Sequence, residues 1–372
     1  MAYLGQDVKK LGFGLMRPPM LGQEIDLAQL ERMVDLFLEH GFTYFDTAYG
    51  YLEGRSEEAA RRTLVERHPR ESFLLATKLP AWAGARNTAE AEEMFWTSLR
   101  RTGAGYFDYY LLHNLGDERT RYFDDYNIWD FAAARKKEGL IRHLGFSFHD
   151  RADVLDGILT RHPDMDFVQL QINYADWDSP IVESRKCYEA ARKHGKPVVI
   201  MEPVKGGSLA ALPKALETRF RALEPAASLS SWAIRFAASL ENVVTVLSGM
   251  SNLDQMRDNI SFMEHFTPLS AAERAAVDRV RAELTELPHI PCTGCRYCVK
   301  GCPQEIAIPG IFRAMNNYLL YANLPGARGN YAWETRLGGT ADKCVECGRC
   351  MEVCPQHIRI PDELKKAREL LG

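Results

Sequence analysis

The chain has no run of apolar residues long enough to cross a bilayer, which excludes a helical membrane protein. It has no charge of one sign in large excess either. Its 46 Lys and Arg stand against 50 Asp and Glu, a net charge of −4. That balance lacks the basic field that nucleic-acid binding needs. Met1–Lys10 contains no apolar segment of the secretory type, so neither export nor a disulfide framework is expected. Cysteine is scarce through most of the sequence: of nine, only Cys187 precedes Cys292. Cys187 falls on a helical pattern, Ser184–His194, and reads as a packed core thiol. At 372 residues, with ordinary globular composition, the chain can form one large domain and one small one.

What is present is concentrated near the C-terminus. Cys292, Cys295, Cys298 and Cys302-Pro303 form one C-x2-C-x2-C-x3-C-P run, and Cys344, Cys347, Cys350 and Cys354-Pro355 form a second. Each resembles the run of bacterial-type ferredoxins. In two-cluster ferredoxins the fourth cysteine ligates the other cluster. The resemblance therefore implies one [4Fe–4S] cluster on Cys292, Cys295, Cys298 and Cys354. A second would sit on Cys344, Cys347, Cys350 and Cys302. Paired C-x2-C also suits tetrahedral zinc, but zinc sites space their pairs widely and lack the closing Cys-Pro. Thiolate clusters without an export signal point to the cytoplasm.

Ahead of these runs, short apolar strands alternate with amphipathic helices. Strands are predicted at Leu11–Met16, Thr43–Thr47, Phe73–Lys78, Asp108–His113, His143–Phe148, Phe167–Ile172, Pro197–Glu202 and Val243–Ser248. Helical periods lie between them, with Leu27, Leu30, Met33, Val34, Phe37 and Leu38 marking one face. Lys214–Leu240 is a longer helical stretch broken at Pro225. The alternation predicts an α/β fold with a parallel sheet, and eight units fit a closed (β/α)8 TIM barrel; an open doubly wound sheet is the alternative. After the helical segment Ala271–Leu287 the boundary is placed near Pro288, giving a barrel domain over 1–285 and a ferredoxin-like domain over 286–372. Between the cysteine runs, Ile311–Leu320 reads as a helix and Asn323–Gly329 as a loop. A small, mainly helical two-cluster domain is expected, ending in the helix Asp362–Leu371.

TIM barrels place their chemistry at the C-terminal strand ends. Those ends carry Asp46, Lys78, His113, Ser147 with His149, Gln171 with Asn173, Glu202 with Lys205, and Ser248. Phe45-Asp46-Thr47-Ala48 through Tyr51, Gly54, Ser56 and Glu57 resembles the second-strand signature of the aldo-keto reductases. Ala76-Thr77-Lys78 and Leu111-Leu112-His113 resemble their next two signature strands. Together with the tail, the chain is similar to the iron–sulfur branch of that superfamily. The resemblance implies a catalytic tetrad of Asp46, Tyr51, Lys78 and His113. It also implies an oxidoreductase that interconverts a carbonyl and an alcohol, with NAD(P)H as hydride donor. The roles are chemically sensible. A carbonyl accepting hydride needs a proton donor and a charge clamp at its oxygen. Tyr51 would donate, Lys78 would lower its pKa, Asp46 would hold Lys78, and His113 would orient the carbonyl.

Anion-binding glycines follow the last two strands, in Lys205-Gly206-Gly207 and Ser248-Gly249. Gln255 and Asn259 match the family's adenosine-side spacing, and Ser147 and Gln171 are expected amide partners. Three positions depart from the family pattern: Ser251 replaces an arginine for a 2′-phosphate, Phe148 an asparagine, and Met201 a stacking aromatic. These departures matter because clusters carry single electrons whereas a nicotinamide transfers a pair. A flavin bridges the two. Two alternatives therefore stand beside the hydride reading. One is a reductase fed through its clusters by a redox protein partner, with or without flavin. The other is a non-enzymatic redox-sensing or docking subunit. Trp82, Phe148, His149, Tyr174 and Trp177 fall in loops that either line a substrate pocket or pack among themselves.

Overall fold

A computed structural model describes residues 4–372 of the chain. Eight strands form a closed barrel: β1 (Leu11–Gly14), β2 (Tyr44–Asp46), β3 (Leu74–Leu79), β4 (Phe107–Leu115), β5 (Ile141–Phe148), β6 (Phe167–Gln171), β7 (Val198–Met201) and β8 (Val243–Ser248). Each neighbouring pair is parallel, and β8 returns to β1 through Leu11 opposite Val246. All eight strands expected from the sequence are present in order. Side-chain oxygens start several intervening helices by accepting a backbone N–H: Asp26 from Gln29, Asn87 from Glu90 and Asn252 from Gln255. Tyr44, Tyr109, Leu111, Phe167, Val199 and Val244 belong to one buried cluster of the barrel. Gly145 lets β5 and β6 approach there, since a Cβ at that position would collide with the Phe167 carbonyl.

The chain divides into two compact units. One comprises the chain up to Pro203 together with Ser231–Ser270; the other comprises Val204–Ser230 and Ala271–Gly372. The second unit is helical, built around Ile308–Tyr321, Leu324–Thr335 and Ile360–Leu371. Ile311, Phe312, Met315, Tyr331, Ile360 and Leu364 fill its core, and cysteines of both runs pack against it. The segment Asn323–Gly329 is not the expected loop. Asn323 caps a helix by accepting the Gly326 N–H, with Pro325 in the first turn. Proline fits there because the first helical N–H groups need no intrahelical acceptor. Among the described residues no helix is long and apolar enough to cross a membrane.

Candidate active site and cluster ligands

The carboxyl ends of β2, β3 and β4 bring four of the expected side chains together. Lys78 Nζ donates to Asp46 Oδ1 at 2.5 Å, to the Thr47 carbonyl at 2.7 Å and to Tyr51 Oη at 3.3 Å. Its ammonium also lies 4.8 Å from the centre of the Tyr51 ring. The His113 ring meets the Tyr51 ring edge-on, with centroids 6.0 Å apart. Lys78 and Asp46 are buried, and His113 Nδ1 is buried without a hydrogen-bond partner.

The electrostatics follow from this burial. Burial alone would lower the Lys78 pKa, but Asp46 and then Tyr51 outweigh it, so the lysine is held charged. Burial lifts the Asp46 carboxyl against the pull of Lys78. Tyr51 departs from the sequence-based expectation. Lys78 does pull its phenol down, but burial is the larger effect and the net direction is upward from 10.0. The Tyr51 hydroxyl therefore keeps its proton through neutral pH. His113 is pushed well below 6.5, first by burial and then by Lys78, His149 and Arg119, so its imidazole is neutral. A protonated phenol, a charged ammonium and a neutral imidazole can together donate a proton to, and stabilise charge on, one oxygen between them.

The rest of the second-strand signature supports the turn that carries Tyr51. Ser56 Oγ donates to the Leu15 carbonyl at 2.8 Å and lies 2.7 Å from Thr47 Oγ1. Glu57, fully buried, accepts from Thr77 Oγ1 at 2.7 Å and from Arg101 at 3.3 Å. Arg101 also donates to the Tyr49 carbonyl at 3.0 Å and covers the Tyr49 ring. Leu52, Glu53 and Gly54 all have positive φ. Gly54 is required because a Cβ would collide with Arg101. Arg101 was missed in the sequence, where it reads as an ordinary charge in the last turn of a helix.

The expected cofactor residues are distributed as follows. Ser147 Oγ, at the end of β5, accepts the Asn114 N–H at 2.8 Å. Gln171, at the end of β6, donates to Asp176 at 3.3 Å, and Asp176 also accepts from Asn173 at 2.9 Å. Asn259 Nδ2 donates to Ser248 Oγ at 2.7 Å, and Gln255 Oε1 accepts the Ser251 N–H at 2.7 Å next to Gly249. Lys205, Gly206 and Gly207 form three successive positive-φ residues and belong to the second unit. The following Ser208 Oγ donates to Asn317 Oδ1 at 2.6 Å and accepts from Asn323 at 3.2 Å, so this loop is hydrogen-bonded to the helical module. Glu202, at the end of β7, has φ 56° and acts electrostatically on Tyr51.

Of the loop aromatics, Tyr174 and Phe148 are buried, and Trp177 packs on Phe236 and Tyr188. Trp82 lies beside the four side chains: its Nε1 donates to the His113 carbonyl at 2.7 Å, with ring centroids 6.2 Å apart. Cys187 is buried, and burial pushes its thiol up to about 12.

In the second unit the cysteines gather across the two runs. Cys302, Cys344, Cys347 and Cys350 line one cavity. Cys350 feels Cys344, Cys347 and Cys302, while Cys292 feels Cys295 and Cys354. Among the described residues no three His, Cys, Asp or Glu side chains converge on one metal-ion position. Cys295 and Cys347 are exposed, Cys298 buried.

The sequence profile of the Aldo/keto reductase family matches residues 10–282, and that of a 4Fe-4S dicluster domain matches residues 291–359. The chain is 26% identical over 286 residues to an uncharacterized oxidoreductase, YqkF, of Bacillus subtilis (strain 168), covering 68% of this chain and 87% of that one. Its fold is similar to the aldo-keto reductase AKR11C1 from Bacillus halodurans in its holo form. There the TM-score is 0.58 and the identity 26%, over 75% of this chain and 95% of that one. It is also similar in fold, at 21% identity and TM-score 0.57, to an aldo-keto reductase from Klebsiella pneumoniae solved in complex with NADPH, over 74% and 91% of the two chains.

Proposed function

The chain belongs to the aldo/keto reductase family and carries a 4Fe-4S dicluster domain, and from this premise we propose that it is a carbonyl reductase using NAD(P)H and holding two [4Fe–4S] clusters. The observation that carries the reading is the Lys78 ammonium bonded to both Asp46 and Tyr51, with neutral His113 beside them. When bound, NAD(P)H supplies the hydride. Tyr51 donates its hydroxyl proton to the carbonyl oxygen, and solvent later returns one. Lys78 holds the developing phenolate, and Asp46 fixes Lys78. His113 hydrogen-bonds the same oxygen and sets the carbonyl's orientation. Ser147 and Gln171 would hold the carboxamide. Asp176, by taking one amide proton of Gln171, leaves Gln171 Oε1 available to accept. Ser248, Gly249, Gln255 and Asn259 would serve the phosphate and adenosine side. The reading divides the chain into a barrel over 1–285 and a cluster module over 286–372, with ligands crossed through Cys302 and Cys354.

One observation favours a second reading, in which electrons reach the barrel from a redox protein through the clusters, with or without a flavin. Cys295 and Cys347 are exposed, which gives each cluster a route to the surface. The test is anaerobic turnover of cluster-loaded protein on a panel of aldehydes and ketones. NAD(P)H oxidation that depends on the carbonyl compound supports the first reading. Reduction only with a pre-reduced ferredoxin-type donor supports the second.

A further inference from the structure

An arginine stands at the edge of the four-residue site with no counterion among the described residues. Arg119 lies in the loop after β4, six residues beyond His113. Its guanidinium sits 5.1 Å from the centre of the Trp82 ring, and its Nη1 donates to Asn114 Oδ1 at 3.1 Å. Both supports border His113. Trp82 donates to the His113 carbonyl at 2.7 Å, and Asn114 is the next residue. Asn114 is itself fixed, with φ 60° and its N–H on Ser147 Oγ. The turn beneath is tight, because the Arg119 N–H bonds the Gly116 carbonyl at 3.2 Å. A Cβ on Gly116 would press on Asp150.

No carboxylate among the described residues pairs with Arg119. Asp150, in the loop after β5, is used by the backbone: it accepts the N–H groups of Asp117 and Arg151 at 2.8 Å each. Arg119 is half-buried and planar, with most of its donor fork unspent. A guanidinium stacked on an indole and left without a counterion is preorganised for a bidentate oxyanion. Glu202, an acid at the end of β7, acts on Tyr51, so an anionic substituent is favoured toward Arg119 and away from β7.

We infer that Arg119 is a specificity-determining residue: the substrate is a carbonyl compound bearing an oxyanion, carboxylate or phosphate, seated on Arg119 beside Trp82 while its carbonyl meets Tyr51 and His113. The inference rests on the carbonyl-reductase reading for the identity of the reacting group, but the anion site is measurable without turnover.

The experiment is calorimetric titration of cluster-loaded protein with benzoate, phenyl phosphate and neutral benzamide, for wild type, Arg119→Gln and Arg119→Lys. The first two ligands distinguish a carboxylate from a phosphate site. An anion that binds wild type more tightly than benzamide, and loses about tenfold or more in affinity in Arg119→Gln, with partial recovery in Arg119→Lys, supports the inference. Binding should also weaken with added salt. Equal affinity of the anions for wild type and Arg119→Gln, or no preference over benzamide, overturns it. Turnover of para-carboxybenzaldehyde against benzaldehyde is the companion readout. The kcat/KM ratio of that pair should collapse about tenfold in Arg119→Gln, through KM. Charge-selective binding without turnover of either aldehyde leaves the anion site standing and counts against the reductase reading alone.

Discussion

Lys78 and Asp46 form an ion pair 2.5 Å long whose side chains are 0% and 4% exposed. Removing either partner strands the other charge away from water. Asp46→Asn should cost about 3–5 kcal/mol of barrel stability, the usual penalty for breaking a buried pair from one side. Urea unfolding followed by far-ultraviolet circular dichroism measures this. A loss below about 1 kcal/mol would show that the pair is solvated.

The Arg101–Glu57 contact holds the turn bearing Tyr51 without touching a reacting atom. Arg101→Ala should lower kcat while leaving the pH profile of the remaining activity unchanged, and Arg101→Lys should restore part of the loss. A shifted pH profile would instead make Arg101 a direct electrostatic contributor to Tyr51. An unchanged kcat would remove it from the site.

His113 gives a pH dependence of defined sign. Its pKa is lowered in the folded state, so below pH 6.5 the unfolded chain binds a proton that the folded chain refuses. Stability is therefore lost as pH falls through 6.5, by at most about 1.4 kcal/mol per pH unit for this group. His143 and His162 are lowered too and contribute in the same direction. His113→Gln should flatten, not abolish, the fall in urea midpoint between pH 7 and 5.5. An unchanged slope would mean that His113 titrates as an ordinary histidine.

The proposed crossed ligation predicts that pairs of substitutions behave unequally. Cys295→Ser with Cys354→Ser removes two ligands of one cluster and should leave about four iron atoms per chain. Cys295→Ser with Cys302→Ser damages both clusters and should leave close to none. Iron and sulfide analysis after anaerobic purification reads the difference, and the reverse order would mean that each run ligates its own cluster.

The barrel was legible because its signals are local. Each strand is a short apolar run, and each helix repeats an apolar face, as Leu30, Met33, Val34 and Phe37 do. Asp46 and Tyr51 were legible for the same reason, lying on one strand and the turn after it. Asn323–Gly329 was misread because Asn, Pro and Gly mark a turn and a helix start equally well. The Asn323 cap and Pro325 in the first turn decide for the helix. The direction of the Tyr51 pKa shift was not legible, because it depends on burial by the folded barrel. Arg119 and Arg101 were invisible for a related reason. Each acquires its place from partners more than thirty residues away in sequence, Trp82 for one and Tyr49 with Glu57 for the other.

The proposed reaction is direct hydride transfer to a carbonyl carbon under proton donation from Tyr51. Its most direct measurement uses NADPH deuterated at the transferring carbon, cluster-loaded protein under anaerobic conditions, and mass spectrometry of the alcohol formed. Direct transfer requires deuterium on the former carbonyl carbon, with product formation falling by about 10²–10⁴ in Tyr51→Phe while the cluster absorbance is unchanged. An alcohol free of deuterium, its hydrogen drawn from solvent, would contradict it and assign the electrons to the clusters.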